Sequence, residues 1–318
     1  MSTASPTLYG TGQVVSWSVS PSLPNGINLD TLTGDISGTP TTITSSAIYT
    51  ITATNSGGTD TTEITIVVND ALPIIAYSPT SYTLTKDVAM TSTTPTVSGG
   101  AVVTWSISPS VPSGLNFGSS NGTIWGTPTA ITSTAVYTVS ATNTGGTDTA
   151  FVTIVVNDEA PSSLAYSPNS FTLTKGTAMT AVTPTASGGA ITGWSVSPSL
   201  PLGLSIDAST GEISGTPSAV TSSAVYTVTA TNTGGSTTAD VTIVVNDIAP
   251  TSITYSPNSF TLTKGSAMTS VTPTESGGTI TTWSVSPSLP NGLSIDSSTG
   301  EISGTPTDVT SSATYTVT

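Results

Sequence analysis

Apolar residues in this chain alternate with polar ones over short runs, and the polar partners are mainly threonine and serine. Val241, Ile243 and Val245 alternate in Val-Thr-Ile-Val-Val-Asn, and Tyr226, Val228 and Ala230 do so in Tyr-Thr-Val-Thr-Ala. Trp194 and Val196 repeat the pattern in Trp-Ser-Val-Ser. A period of two, with β-branched and aromatic residues on one side, marks half-buried strands. No segment carries helical spacing. The pattern predicts an all-β protein, and its regularity argues against a disordered Ser/Thr/Gly-rich linker.

The strands come in a repeating order. Tryptophans at 17, 105, 194 and 283 open near-identical text at steps of 88, 89 and 89, and tyrosines at 49, 137, 226 and 315 keep the same steps. A fixed period this long denotes a tandem array of domains. The third copy predicts strands over Leu164–Lys175, Met179–Pro184 and Ile191–Ser197, then around Leu204 and Ile206, over Glu212–Ser214, Ala224–Asn232 and Ala239–Asn246. Pro168 is read as sitting on an edge, where a missing donor is tolerated. Asp207-Ala-Ser-Thr-Gly211 reads as a turn in which Asp bonds its own backbone and Gly takes positive φ. About seven short strands with turn signals every 8–12 residues describe an immunoglobulin-type β-sandwich.

The expected fold is therefore all-β, with tandem immunoglobulin-like β-sandwich domains in an extended array. The repeats are placed at 1–70, 71–159, 160–248 and 249–318, the first without its opening strand and the fourth without its final one. The recurring Trp17, Trp105, Trp194 and Trp283 are expected in the core, as is the tryptophan of immunoglobulin sandwiches. Short Asn-Asp-x-x-Pro-type junctions restrict hinge freedom.

Leu-Pro-x-Gly-Leu-x-Ile-Asp-x-x-Thr-Gly-x-Ile-x-Gly-Thr-Pro, as in Leu200 to Pro217, resembles the immunoglobulin-like domains of microbial surface proteins and the related dystroglycan-type cadherin-like domains. The resemblance spans the whole chain. It implies an extracellular or cell-surface spacer, adhesin or filament module, and names no ligand.

Composition narrows the chemistry further. Histidine, cysteine and arginine are absent, and Lys86, Lys175 and Lys264 face seventeen carboxylates, for a net charge of -14. That charge opposes nucleic-acid binding, which relies on neutralising phosphates, and opposes adhesion to anionic membranes. No apolar run is long enough to insert into a membrane. A Ser-His-Asp triad cannot be assembled, and Asp207 and Glu212, the nearest thing to a paired-carboxylate site, sit in a structural turn. No enzyme is expected, and no cofactor beyond calcium.

Calcium is weighed at the junctions. Asn69-Asp70, Asn157-Asp158 and Asn246-Asp247 resemble the cadherin linker, where carboxylates of adjoining domains share the ion, which makes Asp70, Asp158 and Asp247 candidate ligands. Calcium takes six to eight oxygens, and the second copy has Gly118 and Thr123 where the others carry turn acids. The other reading is that these aspartates fix the linker. An isopeptide bond between Lys175 and Asn246 would require a buried carboxylate, and only Glu275 stands at an interior position where other copies have Val97 and Ala186. Trp125 replaces Ser37, Ser214 and Ser303 and is a candidate to grip a glycan or a neighbouring chain. Asn121-Gly-Thr123 is a glycosylation sequon.

Three functional readings follow. The first is a stalk, spacer or filament body outside the cell. The second is an adhesin that binds glycans or partner proteins. The third is a fibre subunit that self-associates by strand addition at its incomplete end repeats, for which a window cut from a longer array is the competing explanation.

Overall fold

A computed structural model describes all 318 residues, which form 28 strands and no helix. Accordingly, no helix is long and apolar enough to cross a membrane. The chain divides into two compact units, Met1–Asn157 and Asp158–Thr318.

In the first unit, residues 73–157 form a complete sandwich. One sheet has the order Thr104–Ser108, Thr132–Asn143, Gly146–Asn157, Ser81–Thr85. Its first three strands are antiparallel neighbours, and Ser81–Thr85 joins in parallel with Thr153–Asn157. The opposing layer holds the pair Pro73–Ala76 with Thr96–Gly99 and the three short strands Leu115–Phe117, Ile124–Gly126 and Met90–Thr93. Period-two alternation drives the packing: Val152, Ile154 and Val156 are fully buried, while Phe151 on the other face is exposed. Each fully buried aliphatic side chain contributes about 1.5–3 kcal/mol. Residues Met1–Asn69 of the same unit carry the three-stranded sheet Ser16–Ser20, Thr44–Asn55, Gly58–Val68, with the hairpin Ile27–Leu29 and Ile36–Gly38.

In the second unit, residues 162–246 repeat the sandwich. Its four-stranded sheet runs Ser170–Thr174, Gly235–Asn246, Thr221–Asn232, Gly193–Ser197. The opening segment Leu164–Lys175 is two strands, Ser162–Ala165 and Ser170–Thr174, which pair with different partners in different sheets. Pro168, in a cis peptide with Ser167, lies between them, where the chain changes sheets. Only a proline-tolerant edge was expected there, because an extended X-Pro dipeptide looks the same in a strand and at a crossing. The Met179–Pro184 strand is reduced to a bridge between Val182 and Ile213, and regular pairing resumes at Thr185–Ser187. The fourth copy, Pro250 onward, keeps the pairs Pro250–Thr254 with Thr274–Gly277 and Leu293–Ile295 with Ile302–Gly304.

Candidate functional site

The residues shared by all copies converge on one structural knot. The turn glycines Gly34, Gly122, Gly211 and Gly300 have φ of +79, +70, +72 and +72, a region favoured by glycine. Each lies against an indole: a β-carbon would stand 2.6–2.7 Å from ring carbons of Trp17, Trp105, Trp194 and Trp283 respectively. A tyrosine immediately after the opening strand closes the knot in three copies, with the Tyr77, Tyr166 and Tyr255 hydroxyls donating to the Gly122, Gly211 and Gly300 carbonyls. Burial raises the pKa of all three phenols, that of Tyr166 to about 12, so each stays protonated as a donor. Trp17, Trp105 and Trp283 are buried, whereas Trp194 is half-buried and its enclosed Nε1 has no acceptor. The tyrosine tie was not anticipated from sequence, although its constant spacing of 45 residues from the glycine is a readable signal.

The turn before each glycine is fixed by an aspartate in three copies. Asp207 Oδ1 accepts from the Ser209 and Thr210 amides, both at 2.8 Å, and from the Thr210 hydroxyl at 3.0 Å. Asp30 and Asp296 accept from the corresponding amides. These backbone donors hold all three carboxyls below the ordinary value, because they stabilise the charged form. In the second copy Gly118 stands in that place without a side-chain acceptor, and Asn121 Oδ1 accepts from the Thr123 amide at 3.0 Å, as Thr210 Oγ1 accepts from the Glu212 amide at 3.3 Å in the third. Asp207 and Glu212 are thus parts of a turn, with the Asp207 amide donating to the Glu212 carbonyl.

Two of the junction aspartates, Asp70 and Asp158, tie the chain to the repeat that follows. The Asp70 amide donates to Thr144 Oγ1 at 2.9 Å, and Asn143 Nδ2 donates to the Ala71 carbonyl at 2.7 Å. In the second unit the Asp158 amide and Asn232 Nδ2 make the equivalent bonds to Thr233 Oγ1 and the Glu159 carbonyl. The carboxylates of Asp70, Asp158 and Asp247 each accept from the next amide along the chain. No group of three or more Asp or Glu gathers anywhere as a metal set. Glu275 is exposed on its strand, and the buried polar side chains are Thr93 and Asn143, so no carboxylate enters a core to serve an isopeptide bond. Lys175 and Asn246 meet through the backbone, amide to carbonyl at 2.9 Å. A groove of about 770 Å³ lies in the first copy beside Trp17, Ile51 and Asn55.

The second copy departs from the others on its surface. Trp125 is 40% exposed and lies directly opposite Asn116. Phe151, 62% exposed on the other sheet, replaces Glu63 and Asp240. Phe151 was not singled out from sequence, yet comparing the copies position by position shows it.

Comparison with known proteins places these features in a family. Segments of 152 residues, 44% of this chain, are 34% identical to the protein named "Serine-rich adhesin for platelets" from Staphylococcus aureus strains MRSA252 and MSSA476. The matched segment covers only 10% and 6% of those relatives. Among solved structures, the chain is similar to the I-band fragment I67–I69 from titin, at 15% identity and a TM-score of 0.37, covering 73% of this chain and 87% of that one. Sidekick-1 immunoglobulin domains 1–5 match at 16% identity and a TM-score of 0.36, covering 95% and 70%. The family model described as "Putative Ig domain" matches four times, over residues 1–69, 72–157, 161–246 and 250–318, and the chain belongs to that family of immunoglobulin-like domains.

Proposed function

We propose that the chain is a tension-resisting stalk or spacer of an extracellular surface protein and catalyses no reaction. The observation that carries this reading is the parallel patch joining the two ends of each complete repeat. Ser81–Thr85 pairs in parallel with Thr153–Asn157, and Ser170–Thr174 with Thr242–Asn246. The first strand of each pair lies near the point where the chain enters the repeat, and the second where it leaves. Pulling the chain from both sides therefore slides two parallel strands past one another along their length. The bonds of the patch are loaded together, whereas strands peeled from one end lose them one at a time. The Lys86 amide to the Asn157 carbonyl and the Thr153 amide to the Thr80 carbonyl, both 2.8 Å, close the patch in the second repeat. Lys175 to Asn246 and Thr242 to Asn169 do so in the third.

Other features support the same reading. The shared residues are used in packing and turns: tryptophan meets the turn glycine in all four copies, and a tyrosine closes the knot in the second, third and fourth. The similarity to proteins named as adhesins supports a cell-surface setting, in which the matched segment is a small part of a long chain. A charge of -14 favours solubility and discourages close self-association.

Single-molecule stretching of the whole chain tests the proposal. Complete repeats recur every 89 residues, so their rupture should lengthen the chain in discrete steps, each approaching the extended length of about 300 Å less the folded span. Lys175→Pro removes the amide that reaches Asn246 and should lower the rupture force of the third repeat while leaving the second unchanged. Extension without discrete ruptures would refute the stalk, as would rupture forces untouched by Lys175→Pro.

A further inference from the structure

We propose that the outer face around Trp125 in the second repeat is a carbohydrate-binding site that takes a neutral pyranose ring. Trp125 occupies the middle strand of the short three-stranded sheet. Asn116 lies opposite it on one side, and on the other a register shift between Ile124 and Gly126 sets Thr91 and Ser92 against it. Directly opposed residues in such sheets have their β-carbons about 5 Å apart. Asn116, Thr91 and Ser92 are all exposed alongside the indole. The flat ring offers a surface for the C–H face of a sugar. The amide and the two hydroxyls around it supply the donors and acceptors that a sugar's hydroxyl rim requires.

Two substitutions make this face, and they fall side by side. The first, copies having Ser37, Ser214 and Ser303, introduces the tryptophan. The second removes a charge: two positions earlier, on the same face by strand alternation, the other copies carry Asp35, Glu212 and Glu301, and this copy has Thr123. The Thr123 hydroxyl is hydrogen-bonded to that of Thr94 at 3.1 Å. An anionic, hydrophilic face thereby becomes uncharged around an aromatic platform. Its surroundings distinguish the ligand class. A hydrophobic peptide would need further large apolar side chains beside Trp125, and the neighbours are Thr, Ser and Asn. An anionic glycan would be repelled by a chain of charge -14 that offers no arginine and three lysines. A neutral sugar meets neither obstacle.

The whole chain, applied to immobilised neutral oligosaccharides terminating in glucose, galactose, mannose or N-acetylhexosamine, is expected to be retained by at least one of them. Trp125→Ser installs the residue the other copies carry, so folding should be preserved, and binding should fall at least tenfold. Asn116→Ala should weaken binding about threefold or more. The proposal fails if no neutral glycan is retained, if Trp125→Ser binds as well as the parent chain while its melting is unchanged, or if only sialylated or sulfated glycans bind. None of these outcomes depends on the rupture behaviour of the repeats, so the site and the stalk stand or fall separately.

Discussion

The second and third repeats are the same sandwich built with two different sets of contacts. In the second, Trp105 is buried, with Pro95 buried beside Gly122, and Met90–Thr93 forms a strand paired with Ile124–Gly126. In the third, Trp194 is half-buried with an unpartnered Nε1, Pro184 is half-buried, and a single bridge at Val182 stands in for the strand. The third in turn fastens its turn with the Asp207 carboxylate, and the second has Gly118 in its place. Repeats in one array can therefore keep the backbone while exchanging polar fastening for packing. What differs between copies is free to serve other ends, as the surface around Trp125 illustrates.

The largest expected contrast concerns the indoles. Trp105→Ala should cost the second repeat roughly 4 kcal/mol, in the usual range for a core tryptophan. Trp194→Ala should cost the third roughly 3 kcal/mol or less, because its ring is partly solvated and an unsatisfied donor is removed with it. Hydrogen exchange on the whole chain resolves the two effects, read in the strands Thr132–Asn143 and Thr221–Asn232. Equal losses of protection would break the comparison.

A second contrast is an exchange already present between the copies. Tyr82 and Thr93 in the second repeat occupy the positions of Phe171 and Val182 in the third. The Tyr82 hydroxyl lies 2.8 Å from the Pro79 carbonyl and 2.8 Å from Thr93 Oγ1. The Tyr82 hydroxyl is the donor toward both acceptors, the Pro79 carbonyl and Thr93 Oγ1. Tyr82→Phe strands the Thr93 hydroxyl, which is 8% exposed, and should cost about 1–2 kcal/mol. Adding Thr93→Val recreates the apolar pair of the third repeat and should recover most of that loss. Measured by urea denaturation of the four variants, strict additivity of the two substitutions would disprove the coupling.

Much of this was legible in the sequence, for reasons that particular residues make plain. Alternation over Val241–Val245 and Tyr226–Ala230 marks strands because each side chain's face follows from its position alone. The turn at Asp207–Gly211 is legible because its hydrogen bonds are local. The change of sheets at Pro168 is not, since only the distant partners, Thr185 to Ser187 and Thr242 to Asn246, distinguish two strands from one. Around Trp125 the same division holds. Asn116 follows from the register of a short hairpin, but Thr91 and Ser92 arrive from a strand more than thirty residues away in sequence.

The smallest contrast is with acid. Asp30, Asp207 and Asp296 have folded-state pKa values below the ordinary 3.8, chiefly through two backbone donors each, and the second repeat has Gly118 in their place. A depressed carboxyl stabilises the fold above its unfolded value and loses that contribution as pH falls through the folded value. The first, third and fourth repeats should therefore weaken below about pH 4 through a route closed to the second. These groups are exposed, so the effect is modest and is best isolated within one repeat. Asp207→Asn keeps the Oδ1 acceptor for Ser209 and Thr210 but cannot titrate. Calorimetry of the parent and variant chains at pH 6 and pH 2.5 should show the variant losing less melting temperature in the third repeat, with the second repeat's transition identical in both. If the two chains lost the same amount, the carboxylate would be no more than a turn former whose charge is immaterial, and the two repeats would differ in packing alone.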